Sequence, residues 1–297
     1  MGLNLQSVWG EPLDDLSWDA VCAYRARTFR WLPELQLSSR DQAVDFVNER
    51  GFVMFWPIKD ILMPSLWGAV AGDRRVADEH DDPGHVTWGW KDGLLGSRVW
   101  YYAKVIRKKA TMISLDLIPY FYALSENFGA PEEDYIDQYR QGTLTLEAKL
   151  IYEALLKDGP MHSVALRSAV SMTDNAAKAR FNRGLDDLQA DLKILPVGVA
   201  EAGAWNYAFI YECVHRHYPD LPARAGRIGI SEAHRKLLEV YLASVGAAQL
   251  RDLLKVFQWL RADVERALQA LMEAEACRGG VQIEGQAGEW IAAVSLW

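Results

Sequence analysis

Residues 175–214 read NAAKARFNRGLDDLQADLKILPVGVAEAGAWNYAFIYECV, and the change of period inside this stretch decides the fold. Over 175–191 the residues Ala177, Phe181, Gly184, Leu185 and Leu188 recur at helical spacing, which predicts an amphipathic helix. Asp174 or Thr173 stands where a cap is needed. From 192 the pattern changes to two β-branched and aromatic runs, 192–199 and 205–214. They are joined across Ala202-Gly203-Ala204, which predicts a β-hairpin. Upstream, Leu146, Ile151 and Leu155 mark a helix over 144–156, a shorter one covers 162–170, and a turn falls at Ser171-Met172-Thr173-Asp174. Three helices followed by a hairpin is the winged-helix order.

The same order returns about 83 to 85 residues later. Phe181, Gly184, Leu185 and Leu188 answer to Val264, Ala267, Leu268 and Leu271; Ala202-Gly203-Ala204-Trp205 answers to Ala287-Gly288-Glu289-Trp290; Glu147-Ala148 answers to Glu232-Ala233. Between the copies, 218–226 is rich in Pro and Gly and reads as a linker. A weaker third copy is expected in the first half. There, helices over 18–32 and 38–49 lead into an apolar stretch, 51–56, and the Gly-containing stretch 84–96 precedes a helix over 98–108 with Val99, Tyr102, Ala103 and Ile106 as its core stripe. Residues 110–124 then read as strand, bend, strand. The acidic run 126–137 reads as a solvated connector. The expected fold is α+β, mainly α with small β-hairpin wings, in tandem winged-helix repeats. Its parts are an N-terminal helical region with a divergent unit over 1–125, a second unit over 140–217 and a third over 227–297.

Composition narrows the function classes. The 297 residues are half apolar and a quarter charged, the average of a globular chain, and no apolar run approaches the length of a bilayer span. No membrane partner is therefore expected. Cys22, Cys213 and Cys277 are odd in number and far apart, which argues against a disulfide framework and for a reducing, cytoplasmic setting. Forty acids against 32 bases give a net charge of −8, so any nucleic-acid face has to be a local patch. The 12 tryptophans serve as core or as stacking surfaces.

The residues Arg50-Gly51-Phe52-Val53, the segment Trp88-Gly89-Trp90-Lys91, the stretch 98–108 running into a strand and Tyr120-Phe121-Tyr122-Ala123-Leu124 together resemble the AlkZ (YcaQ) type of tandem winged-helix DNA glycosylase. With the two later units, the resemblance spans nearly the whole chain. It implies a winged-helix architecture, DNA as partner, and removal of alkylated or crosslinked bases. It also implies a Gln-x-Gln or Gln-x-Asp pair that activates water. Here the corresponding positions hold Met54 and Trp56. Neither a thioether nor an indole acts as a general base or holds a nucleophilic water as a carboxamide does. Asp60 is the nearest carboxylate that follows, and its plain reading is a surface or capping group. The expectation is an altered or inactive glycosylase.

Two segments carry the candidate DNA contacts. Outside the core stripe of the 175–191 helix stand Asn175, Lys178, Arg180, Asn182 and Arg183, side chains able to meet base edges and phosphates, followed by Asp186 and Asp187, which would repel phosphate. The stretch 98–109 holds Arg98, Lys104, Arg107, Lys108 and Lys109 without an acid, and a helix there would align Trp100 with Lys104, Arg107 and Lys108. Trp88 and Trp90 would share a side if extended. In the final unit Arg261, Glu265, Arg266 and Glu273 nearly cancel. Cys213, His215 and His217 alternate like metal ligands but read as an ordinary strand end, and the loop around His80 and His85 reads as acidic surface, so neither metal nor cofactor is expected. The alternative function is a winged-helix scaffold for protein or small ligands that does not bind DNA.

Overall fold

The computed structural model describes residues 16–76, 78–203 and 205–297. They divide into two compact units, one of the described residues up to 87 together with 231–297, the other of 88–230.

The first unit opens with α1 (Trp18–Thr28) and α2 (Arg40–Arg50), each capped by a serine, Ser17 and Ser39, whose hydroxyl accepts a backbone N–H. Strand β1 (Phe52–Met54) and helix α3 (Leu66–Ala71) follow. Helix α4 (Val86–Leu94) carries the chain across the division. Its Trp88 and Trp90 therefore lie on a helix and not on an extended segment.

In the second unit β2 (Tyr101–Ala103) and β3 (Thr111–Ile113) pair antiparallel, with Tyr102 opposite Met112, and α5 (Ile118–Ala123) comes next. Two expectations fail here. The helix over 98–108 is absent: Trp100, Tyr101, Tyr102 and Ala103 are four consecutive buried residues, the pattern of a strand covered on both faces. Past them the chain turns at Ile106–Lys108, where Arg107 and Lys108 have positive φ, as does Arg98 before the strand. The second expected strand in 110–124 is α5, started by Pro119 in its first turn, a position that suits a helix because its missing N–H would be unpaired anyway.

The acidic run is no loose connector. It leads into α6 (Asp134–Gln141), and buried Asp134 accepts the N–H groups of Phe128 and Ala130. Asn127 donates to the carbonyl of Asp191 and accepts from the buried Lys193 ammonium. Burial raises the Asp191 carboxyl to about 6, with the Lys193 charge opposing and Asp187 and Glu126 reinforcing the shift. Burial also lowers the Lys193 ammonium to about 8. A raised carboxyl contributes stability below its unfolded value, near 4, and loses it as pH rises through 6. Asp191→Asn is therefore expected to stabilise the fold by on the order of 1–2 kcal/mol at pH 7.5. The gain should vanish at pH 4, and urea denaturation at the two values measures it; destabilisation at pH 7.5 would refute the assignment.

The repeat itself is present. Helix α7 (Leu146–Asp158), strand β4 (Met161–His162), helices α8 (Ser163–Ala169) and α9 (Asn175–Ala190), and strands β5 (Ile194–Ala200) and β6 (Ala208–Cys213) form a winged helix with sheet order β4-β6-β5. Ala177, Phe181, Gly184, Leu185 and Leu188 are all buried. Gly184 is required by close approach, since a Cβ there would stand 3.1 Å from the backbone nitrogen of Ala148 and 3.0 Å from Ile151 Cδ1 on α7. After α10 (Val214–His217), the expected linker contains α11 (Leu221–Ala225), which packs on α5 through buried Leu221.

The second copy is α12 (Ile230–Val245), β7 (Ala247–Ala248), α13 (Leu250–Phe257), α14 (Arg261–Glu273), β8 (Cys277–Val281) and β9 (Trp290–Ala293), with sheet order β7-β9-β8. Val264, Ala267, Leu268 and Leu271 are buried as their counterparts are. Helix α1 is tied to this copy by the buried Arg25, which donates to the carbonyls of Val245 and Ala247. Trp18 lies against Trp290, ring centroids 5.8 Å apart.

Candidate nucleic-acid interface

The N-terminal half of α9 is a prepared surface. Asp174 caps it, its Oδ1 accepting the N–H of Ala177 at 2.8 Å, and this bond is the main reason its carboxyl lies below the usual range. The turn before it is held by Arg167, which donates to the carbonyls of Met172 and Thr173. Asn175, Lys178, Arg180, Asn182 and Arg183 are all exposed. Arg180 pairs with Glu147 at 3.1 Å. Among the described residues no carboxylate pairs with Lys178 or Arg183 within salt-bridge distance.

The C-terminal half of α9 differs. Lys104 pairs with Asp186 at 2.6 Å, Lys108 pairs with Asp187, and the backbone N–H of Lys104 reaches Gln189. Residues 104–108 thus cover this end of the helix and cancel the two carboxylates that would repel phosphate. The basic face expected over 98–109 is not formed as such. Trp100 is only 3% exposed, its carbonyl accepting from Tyr218 Oη. Lys104 and Lys108 are spent on α9, while Arg98, Arg107 and Lys109 remain exposed. The role of Lys104 and Lys108 as charge-cancelling partners had no signal in sequence, because 82 and 79 residues separate the pairs.

The wing of this unit is braced just below its tip. Lys91 of α4 has a fully buried side chain, with its Nζ 4.5 Å from the ring centroid of Trp88, 4.6 Å from Phe209, 5.4 Å from Tyr102 and 5.8 Å from Tyr207. The ammonium also meets Asp92 at 2.6 Å and Tyr207 Oη at 3.1 Å, and Tyr207 donates to Asp92 at 2.9 Å. Burial pushes the Lys91 ammonium below its ordinary value, and Asp92 opposes that. On the other wing strand, Gly96 touches β5 so closely that a Cβ would lie 2.5 Å from the carbonyl oxygen of Val197. At the tip Trp205 is 91% exposed.

The final unit offers no comparable surface on α14. Arg261 pairs with Glu265 at 3.0 Å, Arg266 with Asp263 at 2.9 Å, and Gln269 donates to Glu273.

The segment expected to carry glycosidic chemistry is built from apolar and aromatic side chains. Met54 is buried in β1, its N–H bonded to the carbonyl of Pro64. Trp56 is half-buried between Phe55, at 5.9 Å, and the imidazole of His85, which stacks on it at 5.7 Å. The acidic loop expected around His85 thus places its imidazole on Trp56, a pairing that residue type and spacing do not announce. Asp60 is exposed and its nearest cation is Lys255, at 3.7 Å. Among the described residues no three His, Cys, Asp or Glu side chains gather to hold a metal, and no helix is long and apolar enough to cross a membrane.

Winged-helix units placed in tandem in this way give the chain a DNA-glycosylase-like fold. The structure is similar to Streptomyces sahachiroi DNA glycosylase AlkZ, with a TM-score of 0.57 and 14% sequence identity over 95% of this chain and 71% of that one. No curated protein matches the sequence. The AlkZ-related family model matches residues 37–258, three quarters of the chain, and the protein belongs to that family.

Proposed function

We propose that this AlkZ-related protein binds DNA through the N-terminal half of α9, and that it does so without the water-activating pair of the glycosylases it resembles. One observation carries the reading: on a chain of net charge −8, Lys178 and Arg183 stand exposed, with no carboxylate partner among the described residues, between the N-terminus and the middle of the helix that a winged helix presents to the major groove. The opposing charges nearby are already taken up by Lys104 and Lys108. The second half of the proposal follows from chemistry. A buried thioether at Met54 and an indole at Trp56 supply neither a base nor a water ligand.

Duplex binding measured across a salt series tests this. The wild type should lose affinity steeply with salt, and Lys178→Ala/Arg183→Ala should bind about tenfold or more weakly with a log–log slope shallower by about 2. Alkylated duplex incubated with the protein should release no free base; release would overturn the second half alone. Wild-type binding absent or insensitive to salt would remove DNA and leave the scaffold function, with protein or small ligands as partners.

A further inference from the structure

Each winged helix carries a tryptophan in its hairpin, but the strands do not keep the match expected from sequence: Trp290 lies within β9 opposite Val281, whereas Trp205 lies in the tip ahead of β6, and the fold treats the two in opposite ways. Trp290 is 7% exposed, packed against Trp18 of α1 in a cluster with Val21 and Ile283. Trp205 is 91% exposed, and among the described residues no ring packs on it. An indole of this size left in water forgoes one of the larger burial gains open to a side chain.

The position of Trp205 is set by the wing. Gly203 has φ +80° and Asn206 φ +51°, and the N–H of Asn206 closes the tip onto the carbonyl of Gly203 at 3.2 Å. The tip rests beside α8, where a Cβ on Gly203 would touch Val164 at 3.4 Å. Below it, the Lys91 cage grips Tyr207 and Phe209 of the same strand run, and Gly96 abuts β5. The indole is thus a flat apolar plate at the wing tip, in the same winged helix as the exposed Lys178 and Arg183.

Such a plate, in the winged helix that also exposes Lys178 and Arg183, suits a π-face attached to a polyanion. In an intact duplex the base faces are covered by their neighbours, and only edges are offered to the grooves. Faces become available where the stack is interrupted, and a base there is cheap to expose. We propose that Trp205 stacks on a base at an interruption in duplex DNA, so that the protein prefers gapped to continuous DNA. This rests on the reading of α9 as the DNA-facing helix.

The experiment compares a continuous duplex with the same duplex carrying a one-nucleotide gap, at two salt concentrations, for the wild type, Trp205→Ala and Trp205→Phe. The wild type should favour the gapped duplex by about 5- to 100-fold, the range of one base stacked on an aromatic ring. Trp205→Ala should bring the ratio close to one while leaving the salt slope and the melting temperature unchanged, and Trp205→Phe should retain part of the preference. A Trp205→Ala protein that keeps the wild-type ratio overturns the assignment of Trp205 and leaves α9 standing. Failure of the wild type to bind either DNA overturns the α9 reading and this proposal together.

Discussion

Lys91→Ala is expected to lower the stability of the protein by about 3 kcal/mol or more, seen as a fall in the urea midpoint at unchanged slope. The ammonium is surrounded by four rings and is neutralised by Asp92, so truncation removes several interactions at once. The Asp92 carboxylate loses its counter-charge, Tyr207 loses a donor, and a space the length of a lysine stem opens between α4 and β6. Lys91→Met separates these contributions. It refills the space with an unbranched apolar chain but leaves Asp92 without its counter-charge, as Lys91→Ala does, so it should recover only the packing part of the loss, about 2 kcal/mol. Equal losses in the two variants would mean that charge, and not packing, holds the cage. A loss below 1 kcal/mol in Lys91→Ala would show that the wing is not braced there.

Gly96→Ala should cost about 3 kcal/mol for a different reason. Its φ is +75°, a region that costs an L-residue about 1–2 kcal/mol, and the new Cβ would lie 2.5 Å from the carbonyl oxygen of Val197, too close without a shift of β5. Gly142→Ala gives the comparison. Gly142 ends α6 at φ +80° with nothing within 4 Å of its Cβ position, so that variant bears the conformational cost alone. The difference between the two melting curves isolates the clash, and its absence would mean that β5 gives way.

What the sequence could show was the part of the fold governed by local rules. Phe181, Leu185 and Leu188 keep helical period, Asp174 stands one residue before the first turn, and the hairpin follows at once, so the second winged helix and its repeat were legible. Gly184 was readable as a stripe position, though not as the point where α7 and α9 touch. The stretch 98–109 misled because Trp100, Lys104, Arg107 and Lys108 happen to share helical spacing, whereas the run from Trp100 to Ala103 obeys the rule for a strand buried on both faces. Nothing in residue type announces positive φ at Arg98, Arg107 and Lys108. Within the candidate interface, the exposed side chains of α9 were legible. The pairing of Lys104 and Lys108 with α9 was not, since it depends on residues some 80 positions apart being brought together by tertiary structure. The cage around Lys91 was hidden for the same reason: its rings come from residues 88, 102, 207 and 209.

The unequal surfaces of the two winged helices bear on symmetry. A chain that duplicates a DNA-binding element would ordinarily gain a second footprint and, with it, a taste for paired sites at fixed spacing. Here the charges of α14 are cancelled among themselves, while the other copy keeps Lys178 and Arg183 of α9 and Trp205 of its wing tip exposed. On the proposed reading of α9, one copy would be the reading head and the other a buttress. A single footprint has a front and a back, so DNA bound in that way would be engaged in one orientation, and any preferred site should be non-palindromic.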